Sequence, residues 1–340
     1  MDFVKFSKIG QLPGIVHDVN KMASFHNLAK PKIKFKGTVK THGTNAGVMF
    51  SPDGEYSIQS RKRIITVGDD NAGFAAFATK NIDSFRQNRN KLIELYPELK
   101  EETLIIFGEW DGRGVQSSVG ISQLEKFFVT FAVKVQERDE TPGYYLEESK
   151  WNWIKDESVR IFNVNDFQRY EVEIDFEEPS LISNYVTELV DGVEKECPIA
   201  KAIAKLDGVE LENTIGEGIV WVGEWNNQRF IWKAKGEKHS SSKPKRGRTA
   251  APVDIEKSNN IADFIDYAVT ENRMNQGIKE VFGDSPVDIK QLGDYIRWVV
   301  NDVIEEEVLV LVESGLIAKD VNKAISAKTK NHFLKIYNAI

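Results

Sequence analysis

The pattern of apolar and polar positions changes character near residue 250. Before that point short alternating runs dominate. Ile33-Lys34-Phe35-Lys36-Gly37-Thr38-Val39 has the period of two of a half-buried strand. Residues 33–60 read as a hairpin, because Val48, Phe50, Tyr56 and Ile58 flank Ser51-Pro52-Asp53-Gly54, where Pro presets φ and Gly accepts a positive φ. Residues 73–97 read as helix, with Phe74, Phe77, Ala78, Ile82, Phe85, Leu92 and Ile93 near helical spacing. Strand-like runs follow at 103–110, 127–135, 161–164 and 170–176, and a helical one at 181–190. Residues 218–222 and 229–235 then read as a second hairpin about a polar turn containing Asn226-Asn227.

The segment from His239 to Thr249 is polar, basic and Pro/Gly-bearing, without apolar period, and reads as a linker. Beyond residue 252 nearly everything reads helical. Ser285-Pro286 offers an N-cap and a Pro at the first helical position, and Ile289, Leu292, Ile296, Val299, Val300, Ile304 and Val308 recur every three or four residues until Gly315. The expected class is α+β: antiparallel sheets with flanking helices over 1–242, a basic linker over 243–251, and a small all-α domain over 252–340.

Composition narrows this further. At 340 residues the chain exceeds the usual size of one core. With 41% hydrophobic and 29% charged residues it is an ordinary globular composition, and no apolar stretch is long enough to span a bilayer. Cys197 is the single cysteine, which excludes an intrachain disulfide and a cysteine-based zinc cluster and makes a reducing cytosol the default. A net charge of −7 disfavours non-specific coating of nucleic acid. Local basic clusters at Arg61-Lys62-Arg63 and 243–248, and an acidic run at 171–178, still allow one basic face.

The candidate chemistry lies at the strand ends. Lys40-Thr41-His42-Gly43-Thr44-Asn45 places a lysine where a strand enters a small, Gly-containing loop. Alone this is a common turn. Phe107-Gly108-Glu109, Glu217-Gly218-Ile219-Val220 and Lys233-Ala234-Lys235 follow in order, each at the edge of an apolar run. Lys233 and Lys235 alternate along one strand and share a face, an unfavourable pairing unless an anion lies between them. A nucleophilic lysine, carboxylates for a metal and two lysines for phosphate together suit nucleotidyl transfer. Such a lysine needs a depressed pKa, which neighbouring cations or a metal can supply.

These motifs resemble the RNA ligase 2 family, typified by phage double-strand RNA ligases, within the covalent nucleotidyltransferase superfamily that also holds DNA ligases and mRNA capping enzymes. The superfamily motif reads Lys-x-Asp-Gly; the RNA ligase 2 branch commonly has His for Asp and continues Gly-Thr-Asn, as in Lys40-Thr41-His42-Gly43-Thr44-Asn45. Many relatives carry a Glu just before the lysine, where this chain has Thr38-Val39. The resemblance implies an ATP-grasp-like ligase adenylation domain in which Lys40 attacks ATP, assisted by His42, Glu217, Lys233 and Lys235. It implies nucleotide contacts from Gly43, Asn45, Arg61, Glu109 (to a ribose hydroxyl) and Phe128 (stacked on adenine), besides Lys40, Lys233 and Lys235. Glu217 would hold Mg²⁺, with Mn²⁺ as an alternative. Arg61 with Lys62 and Arg63 also reads as a solvated charge cluster, and Phe128 equally reads as core in a strand with three Phe residues.

The implied function is sealing of 3′-hydroxyl and 5′-phosphate RNA ends, in nicked duplex or as free ends, through lysine–AMP and RNA–adenylate intermediates. A monomer is expected, in the cytoplasm (the host's, for a phage-encoded chain). The alternatives are an mRNA guanylyltransferase or DNA ligase, which usually append an OB-fold barrel rather than helices, and a non-catalytic RNA-end-binding protein.

Overall fold

A computed structural model describes residues 1–70, 72–136, 143–236, 253–283, 285–313 and 316–338. The chain divides into two compact units, Met1–Gly236 and Glu237–Ile340. The expected linker over 243–251 lies outside the described residues, apart from its place in the sequence, and so does Gly315.

The first unit runs α1 (Leu12–Phe25), β1 (Lys32–Lys40), β2 (Thr44–Phe50), β3 (Tyr56–Ser60), β4 (Ile64–Ile65), α2 (Phe74–Lys80), α3 (Ile82–Leu95), β5 (Thr103–Asp111), β6 (Phe127–Gln136), β7 (Tyr144–Tyr145), α4 (Glu148–Trp151), β8 (Ile161–Asn163), β9 (Arg169–Asp175), α5 (Ser183–Lys195), α6 (Pro198–Asp207), β10 (Gly218–Trp225) and β11 (Gln228–Lys235). Two sheets result. One has four strands in the order β11-β10-β1-β9, all antiparallel. The other has seven, β4-β3-β2-β5-β6-β7, with β8 parallel to β6. The expected α+β class, antiparallel sheets with flanking helices, is what the chain forms.

The hairpin expected over 33–60 is only half present. β2 and β3 pair about the 51–55 turn, where Ser51 N donates to Glu55 O, but β1 belongs to the other sheet, between β10 and β9. Burial shows why. β1 buries Ile33, Phe35 and Val39 and exposes Lys32, Lys34 and Lys36, whereas β2 is buried at every position from Ala46 to Phe50. A one-sided strand and a two-sided one suit different layers. Residues 41–43 therefore carry the chain from one sheet to the other.

The helix expected over 73–97 is two helices, broken at Asn81 (φ −109°, ψ 23°), whose Nδ2 donates to Phe77 O at 3.0 Å. An Asn side chain that competes for a backbone carbonyl is a natural break. Between β10 and β11, Asn226 and Asn227 both take positive φ, as a tight hairpin turn requires.

The acidic residues of β9 face lysines in register. Lys32, Lys34 and Lys36 of β1 lie opposite Asp175, Glu173 and Glu171 of β9, and Lys32 Nζ is 3.0 Å from Asp175 Oδ2. Each such exposed pair is worth less than about 1 kcal/mol, so the ladder specifies register more than it stabilises.

The second unit contains α7 (Val253–Ala268), α8 (Glu271–Phe282), α9 (Leu292–Glu306), α10 (Val308–Glu313) and α11 (Ala318–Tyr337). It packs around Phe282, Tyr295, Val299, Val303, Ile325 and Phe333. The Ser285-Pro286 start is not used. Asp288 instead caps a short 3₁₀ turn, accepting from Lys290 N, and α9 begins at Leu292. Arg273 is fully buried, with Nη1 donating to Ala268 O and Nη2 to Glu307 Oε1, both at 2.7 Å, and Nε 3.1 Å from Asp302 Oδ2. No helix among the described residues is long and apolar enough to cross a membrane.

Removing one member of a buried ion pair strands the other charge. Arg273→Met is expected to destabilise the helical unit by about 3–5 kcal/mol, read as an earlier helical transition in urea.

Candidate active site

Register places the lysines. Lys40 of β1 lies opposite Gly218 of β10, which lies opposite Lys235 of β11; one row deeper Thr38, Val220 and Lys233 repeat the arrangement. Two strand spacings put the Lys40 and Lys235 backbones roughly 10 Å apart. The residue between them must be glycine. Gly218 has φ +151°, and a Cβ there would lie 2.1 Å from Ala234 O.

Glu217, the residue before Gly218, lies between the two lysines. Its side chain is 1% exposed, and Oε2 accepts from Lys40 Nζ at 2.8 Å while Oε1 lies 2.8 Å from Lys235 Nζ. His42 Nδ1 is 3.0 Å from Oε2. Burial would push the Glu217 carboxyl up, but Lys235, Lys40 and His42 outweigh it and hold it well below the usual range. For Lys40, burial pulls the pKa down, yet Glu217, Glu109 and Asp111 prevail and the net direction is up. The lowering of the Lys40 pKa expected from neighbouring cations is thus not what the protein's own side chains produce. Its carboxylates hold Lys40 as an ammonium.

The second sheet contributes from β2 and β5. Asn45 lies directly opposite Glu109, and Glu109 Oε1 accepts from Gly43 N at 3.3 Å. Gly43 tolerates no side chain, because a Cβ would sit 2.2 Å from Trp110 O and 2.3 Å from Asp111 Oδ1. Burial raises the Glu109 pKa to about 7, with Lys40 opposing and Glu217 reinforcing the shift. Asn45 Oδ1 is buried without a hydrogen-bond partner.

Asp111, the last residue of β5, was not among the candidates the sequence offered. It is fully buried, its oxygens make no well-formed hydrogen bond, and burial and then Glu109 raise its pKa well above the usual value. The signal was there: Glu109-Trp110-Asp111 ends a strand, so both carboxylates share one face.

The remaining candidates separate. Arg61 is exposed just after β3, and its charge reaches Glu109. Arg63 of the same cluster is tied to Asp69, through Oδ2 at 2.8 Å and the backbone O at 2.6 Å. Lys233 is partly buried beside Lys235, and its backbone N donates to Gly10 O at 3.0 Å. Phe128 does not join them. It is fully buried, stacked on Phe74 at 5.1 Å and edge-on to Phe85 at 5.6 Å, so its ring has no face to offer a base and serves as core.

Among the described residues no three His, Cys, Asp or Glu side chains converge as a ready-made chelate. The hard oxygens of Glu217, Glu109 and Asp111 nevertheless suit Mg²⁺, which commonly takes one or two carboxylates and completes its shell with phosphate and water.

Glu109 keeps its proton to about pH 7 when folded but releases it near the ordinary 4.5 when unfolded. The folded chain therefore binds more protons between those values, and stability falls as pH rises through the window. Glu109→Gln should flatten that fall in urea unfolding measured at about pH 5 and about pH 8.

A model of the RNA ligase family matches residues 33–235, which include each of these positions. No curated protein matches the sequence. Among solved structures, a Naegleria gruberi RNA ligase mutant with ATP and Mn is 16% identical at a TM-score of 0.44, covering 70% of this chain and 58% of that one. The same ligase with PPi gives 16% identity, the same coverages and 0.44. A further mutant with ATP and Mn gives 17%, 70%, 59% and 0.43. This chain thus spans under two thirds of the length of the structures it matches.

Proposed function

The chain belongs to the RNA ligase family, and from that premise we propose that it is an ATP-dependent ligase that seals 3′-hydroxyl and 5′-phosphate RNA ends, nicks in duplex RNA first among them. The observation that carries the reading is Glu217 held between Lys40 and Lys235, with Glu109 alongside. Lys40 Nζ attacks the α-phosphorus of ATP, a P–N bond forms, the P–O bond to pyrophosphate breaks, and the lysine proton leaves. The AMP passes from Lys40 to the 5′-phosphate of RNA. A 3′-hydroxyl then displaces AMP and closes the strand.

Each neighbour has a task. Lys233 and Lys235 project from one face of β11 and hold the phosphates as compact point charges. Glu109 and Asn45 face each other across β2 and β5 and receive the ribose. Arg61 contributes a planar cation at the open edge. His42 and Lys235 keep Glu217 charged once Lys40 turns to the substrate. Glu217 would hold Mg²⁺, whose positive charge offsets the carboxylates that otherwise keep Lys40 protonated. Relative to these groups, residues 252–340 form a helical domain that steers RNA, and the basic stretch over 243–251 adds a salt-dependent backbone contact. The ligase works as a monomer in this reading.

Lys40→Ala should abolish covalent labelling by α-labelled ATP on a denaturing gel, while staying folded because Glu217 retains Lys235 and His42. It should still seal RNA carrying a preformed 5′-adenylate. Labelling by ATP and not GTP separates a ligase from a capping enzyme, and labelling of the Ala variant at the parent rate would discard the nucleophile.

Lys235→Ala and Lys233→Ala should each slow adenylation on the order of a hundredfold, as removal of one charge-stabilising donor does. Lys→Arg should rescue only in part, since a planar fork does not reproduce a point charge. Unchanged single-turnover rates in both Ala variants would make these lysines bystanders.

A further inference from the structure

Residues 4–10 have no place in the chemistry above, yet they touch both sheets that carry it. Phe6 packs edge-on against Phe107 of β5 (5.1 Å), Phe131 of β6 (5.1 Å) and Tyr145 of β7 (5.4 Å). Two polar contacts fix it there: Gln59 Nε2 donates to Val4 O at 2.7 Å, and Ser7 N donates to the Tyr145 hydroxyl at 2.9 Å. Three residues on, the segment reaches the other sheet. Gly10 N donates to Ile231 O, and Lys233 N donates to Gly10 O, both at 3.0 Å.

The positions of these contacts matter more than their number. β11 is an edge strand, so the outer hydrogen bonds of its site-bearing half come from Gly10. Phe107 lies two residues before Glu109 on β5 and therefore on the same face. Ile231 lies two residues before Lys233 and shares its face in turn, and it packs into the same cluster as Phe6 and Phe107. Arg229, one step further along that face, stacks on Tyr145 at 4.5 Å. The facing surfaces of the two sheets thus meet around Phe6, one row behind the carboxylate on one side and the lysines on the other.

We propose that residues 4–10 are a positioning wedge: Phe6 and Gly10 set the spacing between the strand that carries Glu109 and the strand that carries Lys233 and Lys235. Phe6 touches no reacting atom and acts through those side chains. Loss of its ring lets the two sheets close on the void, because packed interiors relax into cavities only in part and at the expense of alignment. A displacement of about 1 Å at a site that orients a nucleophile against a phosphorus costs rate steeply. The activity readout rests on the ligase reading; the wedge itself does not.

The test compares Phe6→Ala, Phe6→Leu and Leu99→Ala in the full chain. Leu99 is buried in the core where β5 begins, at the end away from Glu109, and serves as a control for lost stability alone. Single-turnover covalent labelling is followed across ATP concentrations, well below each variant's melting temperature. Phe6→Ala should lower the maximal rate on the order of ten- to a hundredfold, with no recovery at saturating ATP. Phe6→Leu should regain most of it, and Leu99→Ala should label at the parent rate despite a melting temperature at least as low. A parent rate in Phe6→Ala, or an equal loss in Leu99→Ala, would overturn the wedge. Amide exchange judges it without activity: Phe6→Ala should speed exchange over both 107–109 and 231–235, and unchanged protection in either strand counts against it. A parent that takes no label removes the ligase reading and leaves that exchange test standing. Should Phe6→Ala be insoluble, Phe6→Val enters the same comparisons.

Discussion

The arrangement hangs on one buried carboxylate. Glu217 is taken out of water and keeps its charge because two ammonium groups and an imidazole surround it. A single buried charge of this kind would otherwise cost several kcal/mol. The network explains the local sequence in turn. Gly218 must follow Glu217, since only glycine takes its φ and passes Ala234 O. Lys40 and Lys235 must end their strands in that row, since only there can both reach Glu217. The same ion pairs hold the Lys40 pKa above its ordinary value.

A second constraint is the crossing at residues 41–43. Lys40 ends its strand in one sheet, the next sheet begins at Thr44, and Glu109 reaches back to bond Gly43. The site is therefore built at a seam, with lysines on one sheet and the Asn45–Glu109 pair on the other. Gly43 lets the seam close against Trp110 and Asp111. Three carboxylates and two lysines in so small a volume make protonation of any one depend on the rest, so the site titrates as a unit.

Away from the seam, charge is handled locally. The acidic residues of β9 lie opposite the exposed lysines of β1, and Lys32 is ion-paired with Asp175. Arg63 is committed to Asp69, which leaves Arg61 as the member of its cluster whose charge reaches Glu109. The helical unit has its own buried ion cluster around Arg273 and its own apolar core.

The sequence by itself determined the α+β class and nearly every strand, and it singled out Lys40, Glu109, Glu217 and Lys235 as candidates, because strand alternation, turn residues and strand-end motifs are local properties. What tertiary structure decided was partnership. β1 left its expected hairpin for the other sheet because its lone buried face fits there and not beside β2. Phe128 became core because Phe74 and Phe85, distant in sequence, close over it. Asp111 emerged as a buried acid only once Gly43 lay against it. The Lys40 pKa is held up because the acidic groups Glu217, Glu109 and Asp111 converge on it from two other strand ends. A local pattern shows which groups a residue can offer. Its pKa and its exposure are sums over neighbours that only the folded chain brings near.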